Sequence, residues 1–205
     1  RVEIVIWIID YGVGNLGSIL NMIKKIGGSS RLVGTPEDVL SGDKFLLPGV
    51  GHFSEGMKNL KGSGLLPALE EVAIRRKNPI LGICLGAQLL TRRSDEGDEN
   101  GLAWLDVETL KIPASGNLKV PHMGWNFLNI KREDPLLRNL GEKPKFYFVH
   151  SYYMRSFNES QLVASVTYGQ ELGAVFRKDN VVACQFHPEK SHRFGMTLLK
   201  NFLEV

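Results

Sequence analysis

The sequence predicts an α/β protein: an open, mixed but mostly parallel sheet with helices on both faces, continued by an antiparallel extension in the second half. Three observations predict it. From Val2 to Thr91, short apolar runs alternate with segments of helical spacing, the pattern of parallel strands covered by crossover helices. Those runs are nearly continuous in β-branched and aliphatic residues rather than alternating, as strands buried on both faces are. From Leu105 onward, strand-like segments follow one another across turn residues until a last helical stretch. All of this is expected to form one domain over residues 1–205.

Each element has a local reason. Val2–Asp10 is a buried strand, and its apolar run leads into Gly12-Val13-Gly14 instead of a cleavage site of small residues, which argues against a signal peptide. Leu16–Ile26 carries apolar residues at Leu16, Ile19, Leu20, Ile23 and Ile26 and stops at Gly27-Gly28. Arg31–Val33 is a short strand. Thr35-Pro36-Glu37-Asp38 then opens a helix with a capping hydroxyl, a first-turn proline and two acids. Lys44–Leu47 is a strand running into Pro48-Gly49-Val50-Gly51, Leu65–Arg75 is helical, and strand Pro79–Ile83 leads at once into helix Leu85–Thr91. Strands are then expected at Leu105–Ile112, Leu118–Ile130, Phe146–Val149, Leu162–Thr167, Gly173–Phe176 and Val181–Phe186, and a helix at Ser191–Leu203.

Composition narrows the function. With 25 basic and 22 acidic residues mixed along the chain, the net charge of +3 leaves no basic footprint for nucleic acid. Arg75-Arg76-Lys77 and Arg92-Arg93 are expected on solvated helix faces. No apolar stretch is long enough to span a membrane. Two cysteines in 205 residues make no disulfide scaffold and suit a reducing, cytoplasmic setting, or a plastid in a plant. His52, His122, His150, His187 and His192 show no paired ligand spacing, so neither metal nor cofactor is expected.

The chemistry concentrates in three places. Gly82-Ile83-Cys84-Leu85-Gly86 sits at a strand-to-helix junction, the setting of a nucleophile elbow, with small residues two positions either side of Cys84. A helix N-terminus there favours the thiolate, which is the nucleophile. His187-Pro188-Glu189 follows a strand: the histidine can serve as base, and a glutamate two residues on can fix its tautomer. Pro48-Gly49-Val50-Gly51 ends another strand of the same half and can aim backbone N–H groups at an oxyanion, so the amides of Val50 and Leu85 are the expected two-donor hole. Cys184 alternates with Ala183 and Gln185 in a strand and is expected in the core.

These three segments, with Ala87-Gln88 after the elbow, Gln185-Phe186 before the histidine and Lys190-Ser191 after the glutamate, resemble the motifs of class I glutamine amidotransferase domains, which are flavodoxin-like. Asp10-Tyr11-Gly12-Val13-Gly14-Asn15-Leu16, Pro48–Phe53, Pro121-His122-Met123-Gly124-Trp125-Asn126 and Tyr147-Phe148-Val149-His150-Ser151-Tyr152 resemble one branch, the glutaminase subunits or domains of imidazole glycerol phosphate synthases. The resemblance implies that Gln88 and Glu96 hold the amino-acid end of L-glutamine and that Gly49, Gly51, Ser151 and Tyr152 line the same pocket. It implies a (βα)8-barrel cyclase as partner, receiving ammonia through a channel, with Asn15, Trp125 and Tyr147 at the interface. Ala87 departs from the methionine common there, and Thr91-Arg92-Arg93 is more basic than usual before Glu96.

Other readings stay open on the sequence. Gly12-Val13-Gly14-Asn15-Leu16-Gly17 matches a dinucleotide fingerprint, although Val33-Gly34-Thr35 stands where a ribose-binding acid belongs. Trp125 is by default a core aromatic. An amidotransferase serving another pathway, or a catalytically idle regulatory subunit, would share much of the pattern.

Overall fold

The apolar runs fold as the periodicities require. A computed structural model describes residues 4–114, 116 and 118–205; Val2 and Glu3 of the expected first strand lie outside the described residues. In chain order the first half comprises β1 (Val5–Ile9), α1 (Leu16–Lys25), β2 (Ser29–Val33), α2 (Pro36–Ser41), β3 (Phe45–Leu47), α3 (Phe53–Gly62), α4 (Leu66–Leu69), β4 (Ile80–Ile83) and α5 (Leu85–Leu89). The second half comprises β5 (Arg93–Ser94), β6 (Glu99–Asn100), β7 (Val107–Lys111), β8 (His122–Ile130), β9 (Lys145–His150), β10 (Tyr152–Ser156), β11 (Leu162–Tyr168), β12 (Gln170–Lys178), β13 (Val181–Cys184) and α6 (His192–Glu204).

Strands β2, β1, β3, β4 and β13 lie side by side in that order and all run parallel. Beyond β13 the direction reverses: β12 pairs antiparallel with β13, β11 with β12, β8 with β11 and β9 with β8, while β10 and β7 carry the sheet toward β5 and β6. This is the mixed sheet with an antiparallel extension that the sequence predicts. Side chains alternate across it. Ile6 and Ile8 of β1 join one core with Ile19 and Ile23 of α1 and Leu198 and Phe202 of α6. Ile9, Phe45 and Leu47 join the other with Phe53 and Met57 of α3, Leu69 of α4 and Leu85 of α5.

Several boundaries differ from expectation. Helix α3 is absent from the elements the sequence predicts: Phe53, Met57 and Leu60 make its buried stripe amid glycines, lysines and polar residues, too sparse a pattern to stand out. It is capped by His52, whose Nδ1 accepts from the Ser54 amide at 3.2 Å. The stretch expected as one helix over 65–75 is α4 followed by a wider turn over Glu70–Arg75, in which the Arg76 amide reaches back to the Glu71 carbonyl. The strand expected over 118–130 begins only at His122, after a cis Val120–Pro121 bond. Strand β10 is a further element beyond those expected. Arg92 and Arg93 are not on a helix face, because the elbow helix ends at Leu89; Arg93 lies in β5 and pairs with Asp95 and Asp98, and Arg92 pairs with Asp106. Arg75 and Arg76, by contrast, sit exposed beside Glu71.

The buried ammonium of Lys44 ties the sheet to the last helix. Its Nζ donates to the carbonyls of Phe202, Leu203 and Val205 at 2.9, 2.7 and 2.6 Å, satisfying acceptors that the end of α6 leaves without helical partners. Burial pushes its pKa down, yet the three carbonyls favour the charged form. Lys44→Met is expected to cost about 2 kcal/mol, the scale of lost charged hydrogen bonds, as a lower urea midpoint with unchanged m-value.

Candidate active site

The carboxyl ends of β4 and β13, neighbours at the end of the parallel half where the sheet turns antiparallel, meet where an open α/β sheet leaves a crevice. Cys84 follows β4 with φ +53° and ψ −113°, a region that a residue with a Cβ enters only when its surroundings force it. The Cys84 amide donates to the Cys184 carbonyl at 2.8 Å and the Cys84 carbonyl accepts from Gln88 at 3.1 Å, so both sides of the turn are fastened. The flanking glycines have steric reasons. A Cβ on Gly86 would lie 2.0 Å from the Leu47 carbonyl oxygen, and one on Gly49 would lie 2.5 Å from the Gly86 amide nitrogen. Backbone therefore meets backbone where the elbow crosses the Pro48–Gly51 loop. Helix α5 has only five residues, so its dipole assists the sulfur less than the longer helix expected over Leu85–Thr91 would.

His187 follows β13. Its amide donates to the Tyr147 carbonyl at 2.9 Å, and its Nδ1 lies 2.7 Å from Glu189 Oε1. Since the carboxylate only accepts, Nδ1 carries the proton and Nε2 is the nitrogen left for Cys84. Both side chains of this pair are nearly wholly buried. Burial opposes charging His187, but hydrogen bonds to Cys84 and Glu189 and their charges outweigh it and push the imidazole up to about 10. Glu189 Oε2 is buried without a hydrogen-bond partner among the described residues.

A cavity of about 380 Å³ opens over the sulfur, lined in part by Val50, Gly51, Leu85, Glu96, Ser151 and Tyr152. Cys84, Gln88 and His187 also face it. The structure thus gathers most of the residues that the sequence singled out. Gln88 spends both amide hydrogens, one on the Tyr152 carbonyl at 3.0 Å and one on Gln185 Oε1 at 2.9 Å, so its own carbonyl oxygen is what it can offer a ligand. Glu96 is steadied by the Phe53 amide, which donates to Oε2 at 2.8 Å. Two acceptors lining one cavity suit an ammonium group.

Two expectations need correction. The Leu85 amide is not a free oxyanion donor: it donates to the Gly49 carbonyl at 3.3 Å, so the Gly49–Val50 peptide presents its oxygen where the hole was expected. Gly49 does not line the cavity but packs against Gly86. Trp125, Tyr147 and Asn15 lie outside the cavity. Trp125 is 42% exposed, so it is not a core aromatic; it meets Tyr147 edge-on and stacks on His192 at 5.4 Å. Of the fingerprint-like loop, Gly14 has a steric reason: at φ +121°, a Cβ there would lie 3.1 Å from Pro48. Cys184 is fully buried, as expected. Among the described residues no group of three or more His, Cys, Asp or Glu side chains is arranged to hold a metal ion.

Three side chains of the site escaped the sequence reading. Tyr11, buried, donates its hydroxyl to the Pro48 carbonyl at 2.6 Å and so braces the loop. Gln185 approaches the sulfur, with Nε2 3.9 Å from Cys84 Sγ. His150 lines the cavity and hydrogen-bonds to His122 at 2.9 Å. Tyr11, Gln185 and His150 all stand inside the motifs quoted above, but nothing in their spacing says what they touch.

Known proteins match this arrangement along its length. The family described as glutamine amidotransferase class-I matches residues 7–205. Imidazole glycerol phosphate synthase subunit HisH 2 of Pseudomonas aeruginosa is 46% identical over 198 residues, covering 97% of this chain and 98% of that protein. The protein of the same description from Methanococcus maripaludis is 46% identical over 197 residues, with 96% and 98% covered. Among solved structures, one described as a glutamine amidotransferase superposes with a TM-score of 0.75 at 19% identity, covering 98% of each chain. A glutamine amidotransferase from Thermotoga maritima gives 0.66 at 20% identity, covering 100% of this chain and 82% of its own. At such identities the superpositions speak for the fold alone. The match over residues 7–205 and the full-length relatives go further, and on them the chain belongs to the class-I glutamine amidotransferase family.

Proposed function

We propose that the chain hydrolyses L-glutamine to glutamate and ammonia at Cys84, and that the ammonia passes to a cyclase subunit with a (βα)8 barrel, which uses it to make imidazole glycerol phosphate in histidine biosynthesis. The observation that carries the proposal is the convergence, in one cavity, of a strained cysteine, a histidine on a buried glutamate and a pair of acceptors for an amino-acid ammonium. The relatives' names supply the pathway. The outward face of β8, with Met123, Trp125 and Phe127 exposed, supports a partner seated beside Tyr147 and Trp125. The cytoplasm is the expected setting.

The chemistry is acyl transfer to sulfur. Burial opposes charging His187, but Cys84 and Glu189 together push its pKa up to about 10, so the imidazole is well suited to take and hold the proton of the sulfur that attacks. The thiolate attacks the side-chain amide carbon, His187 gives its proton to the departing ammonia, and water then cleaves the γ-glutamyl thioester. The oxyanion needs two donors. The Gly49–Val50 peptide must first turn, releasing the Leu85 amide from the Gly49 carbonyl and facing the Val50 amide inward. Gly51, at φ +106°, gives the loop freedom for that.

These roles set the size of the losses expected on substitution. His187→Ala is expected to lower kcat/KM for glutamine by about 10⁴-fold and Glu189→Ala by roughly 10²-fold, since orientation is lost more cheaply than the proton carrier; steady-state assays with a loaded cyclase measure both. The imidazolium is present below its raised pKa and lost above it, so the alkaline limb of kcat/KM is expected near pH 10 and not near the ordinary histidine value. A limb near neutrality would contradict the raised His187 pKa. The proposal itself is tested by glutamate release from the purified chain, alone and with a barrel cyclase holding its nucleotide substrate. Strong stimulation supports it, and hydrolysis indifferent to the cyclase would remove the pathway assignment.

A further inference from the structure

Strands β8 and β9 bring His122 directly opposite His150, and their hydrogen bonds leave a single consistent assignment of protons. His150 Nδ1 lies 2.8 Å from the Tyr152 carbonyl oxygen. A carbonyl only accepts, so Nδ1 carries a hydrogen. His150 Nε2 lies 2.9 Å from His122 Nδ1, and one hydrogen can occupy that contact. Asn126 shows on which nitrogen it sits. Its oxygen accepts from the Phe127 amide at 2.9 Å and its nitrogen donates to the Thr167 carbonyl at 3.0 Å, which fixes the amide's orientation. The same nitrogen lies 3.3 Å from His122 Nε2, so that nitrogen is the bare acceptor and His122 Nδ1 is the donor to His150. Both rings are therefore neutral Nδ1–H tautomers. Burial agrees, pushing His122 down to about 4 and His150 to about 3. His122 is further clamped between the rings of Phe148 and Tyr168, at centroid distances of 4.8 and 4.0 Å.

The Tyr152 carbonyl accepts from two sides. Opposite His150 stands Gln88 Nε2, whose second hydrogen goes to Gln185 Oε1. That contact turns the Gln185 amide so that its nitrogen faces Cys84 Sγ. One backbone oxygen thus sets the sense of both side-chain amides beside the sulfur, and the tautomer of each histidine ring depends on the contact made by the next.

We propose that His122 and His150 are positioning residues for the glutaminase site: a coupled pair of Nδ1–H histidines that holds the Tyr152 carbonyl, and through it keeps Gln88 presenting its oxygen to the substrate ammonium and Gln185 presenting an N–H to the Cys84 sulfur. The proposal rests on the cavity being the glutamine site. Neither histidine touches the reacting carbon; their effect is on where the substrate sits.

Nitrogen-15 spectra of the wild-type chain with labelled histidine test the tautomers directly. Protonated Nδ1 and bare Nε2 are expected for both residues at neutral pH. A protonated Nε2 on either would overturn the proposal. Kinetics with the loaded cyclase test the positioning. H150L is expected to raise the glutamine KM about tenfold, the effect of one hydrogen bond in a buried network, with a smaller change in kcat. H150N, whose amide nitrogen occupies the place of Nδ1, is expected to recover most of the lost affinity. An H150L enzyme with wild-type KM, or an H150N enzyme no better than H150L, would also overturn it. Should H150L fail to fold, the spectra and the comparison of H150N with wild type still decide. A wild-type chain that never hydrolyses glutamine would instead remove the proposed function while leaving the tautomers as found.

Discussion

Cys84→Ala is expected to abolish glutamine-dependent turnover, by about 10⁴-fold or more, while the partner's synthesis from free ammonia continues at its wild-type rate. The two halves of that result separate chemistry from architecture. Removing the sulfur deletes the group that forms the thioester, but the alanine keeps the Cβ, the backbone turn and the Gln88 contact that shape the elbow. Cys184 supplies the internal control. It is fully buried in β13, and burial, with the Asp134 charge nearby, raises its thiol pKa. Cys184→Ala is therefore expected to lower stability modestly and leave turnover intact. If Cys84→Ala also stopped ammonia-dependent synthesis, the residue would be serving docking or folding instead. The measurement is paired steady-state rates, with glutamine and with an ammonium salt, on the same complex.

Gly86→Ala is expected to do damage of a different kind, costing stability and activity together. The added methyl would lie 2.0 Å from the Leu47 carbonyl oxygen and 2.8 Å from its carbon, and neither neighbour is a flexible side chain. Overpacking of backbone against backbone is expected to cost about 3 kcal/mol or more. Relief requires the elbow to move away from β3 and the Pro48–Gly51 loop, which carries Cys84 and the Leu85 amide off their positions. The signature is a lowered urea midpoint together with a fall in kcat/KM of at least about 10²-fold, because small misplacements at the reacting atoms cost that much. Gly62, at the end of α3, is the matched control: a methyl added there would meet no atom within 4 Å, and alanine is expected to be neutral.

What the sequence revealed and what it hid divide along a physical line. The parallel half was legible because β3, β4 and β13 are short apolar runs buried on both faces, with β1 nearly so, whereas the half-exposed edge strand β2 was read two residues short. The Thr35 cap was legible because its donor and acceptor needs are local: the hydroxyl accepts from the Asp38 amide three residues on, at 3.2 Å. Cys84, His187 and Glu189 stood out since their spacing within each motif is itself the geometry. Helix α3 was hidden by a stripe of only three large apolar residues. The engaged Leu85 amide was hidden because it depends on how two loops, far apart in the chain, turn one peptide. The His122–His150 pair was hidden by register: their contact exists only because β8 and β9 pair His122 with His150 and not with a neighbour. Shift that pairing by one residue and His150 would leave the cavity for the opposite face.

The nucleophile itself is open to direct observation. The complex is exposed to an electrophilic glutamine analogue, digested, and its two cysteine-containing peptides are followed by mass. One adduct per chain is expected, on the Cys84 peptide alone, formed at the rate at which glutaminase activity disappears and slowed by glutamine. Activity that survives full modification of Cys84, or inactivation accompanied by an adduct only elsewhere, would contradict the account.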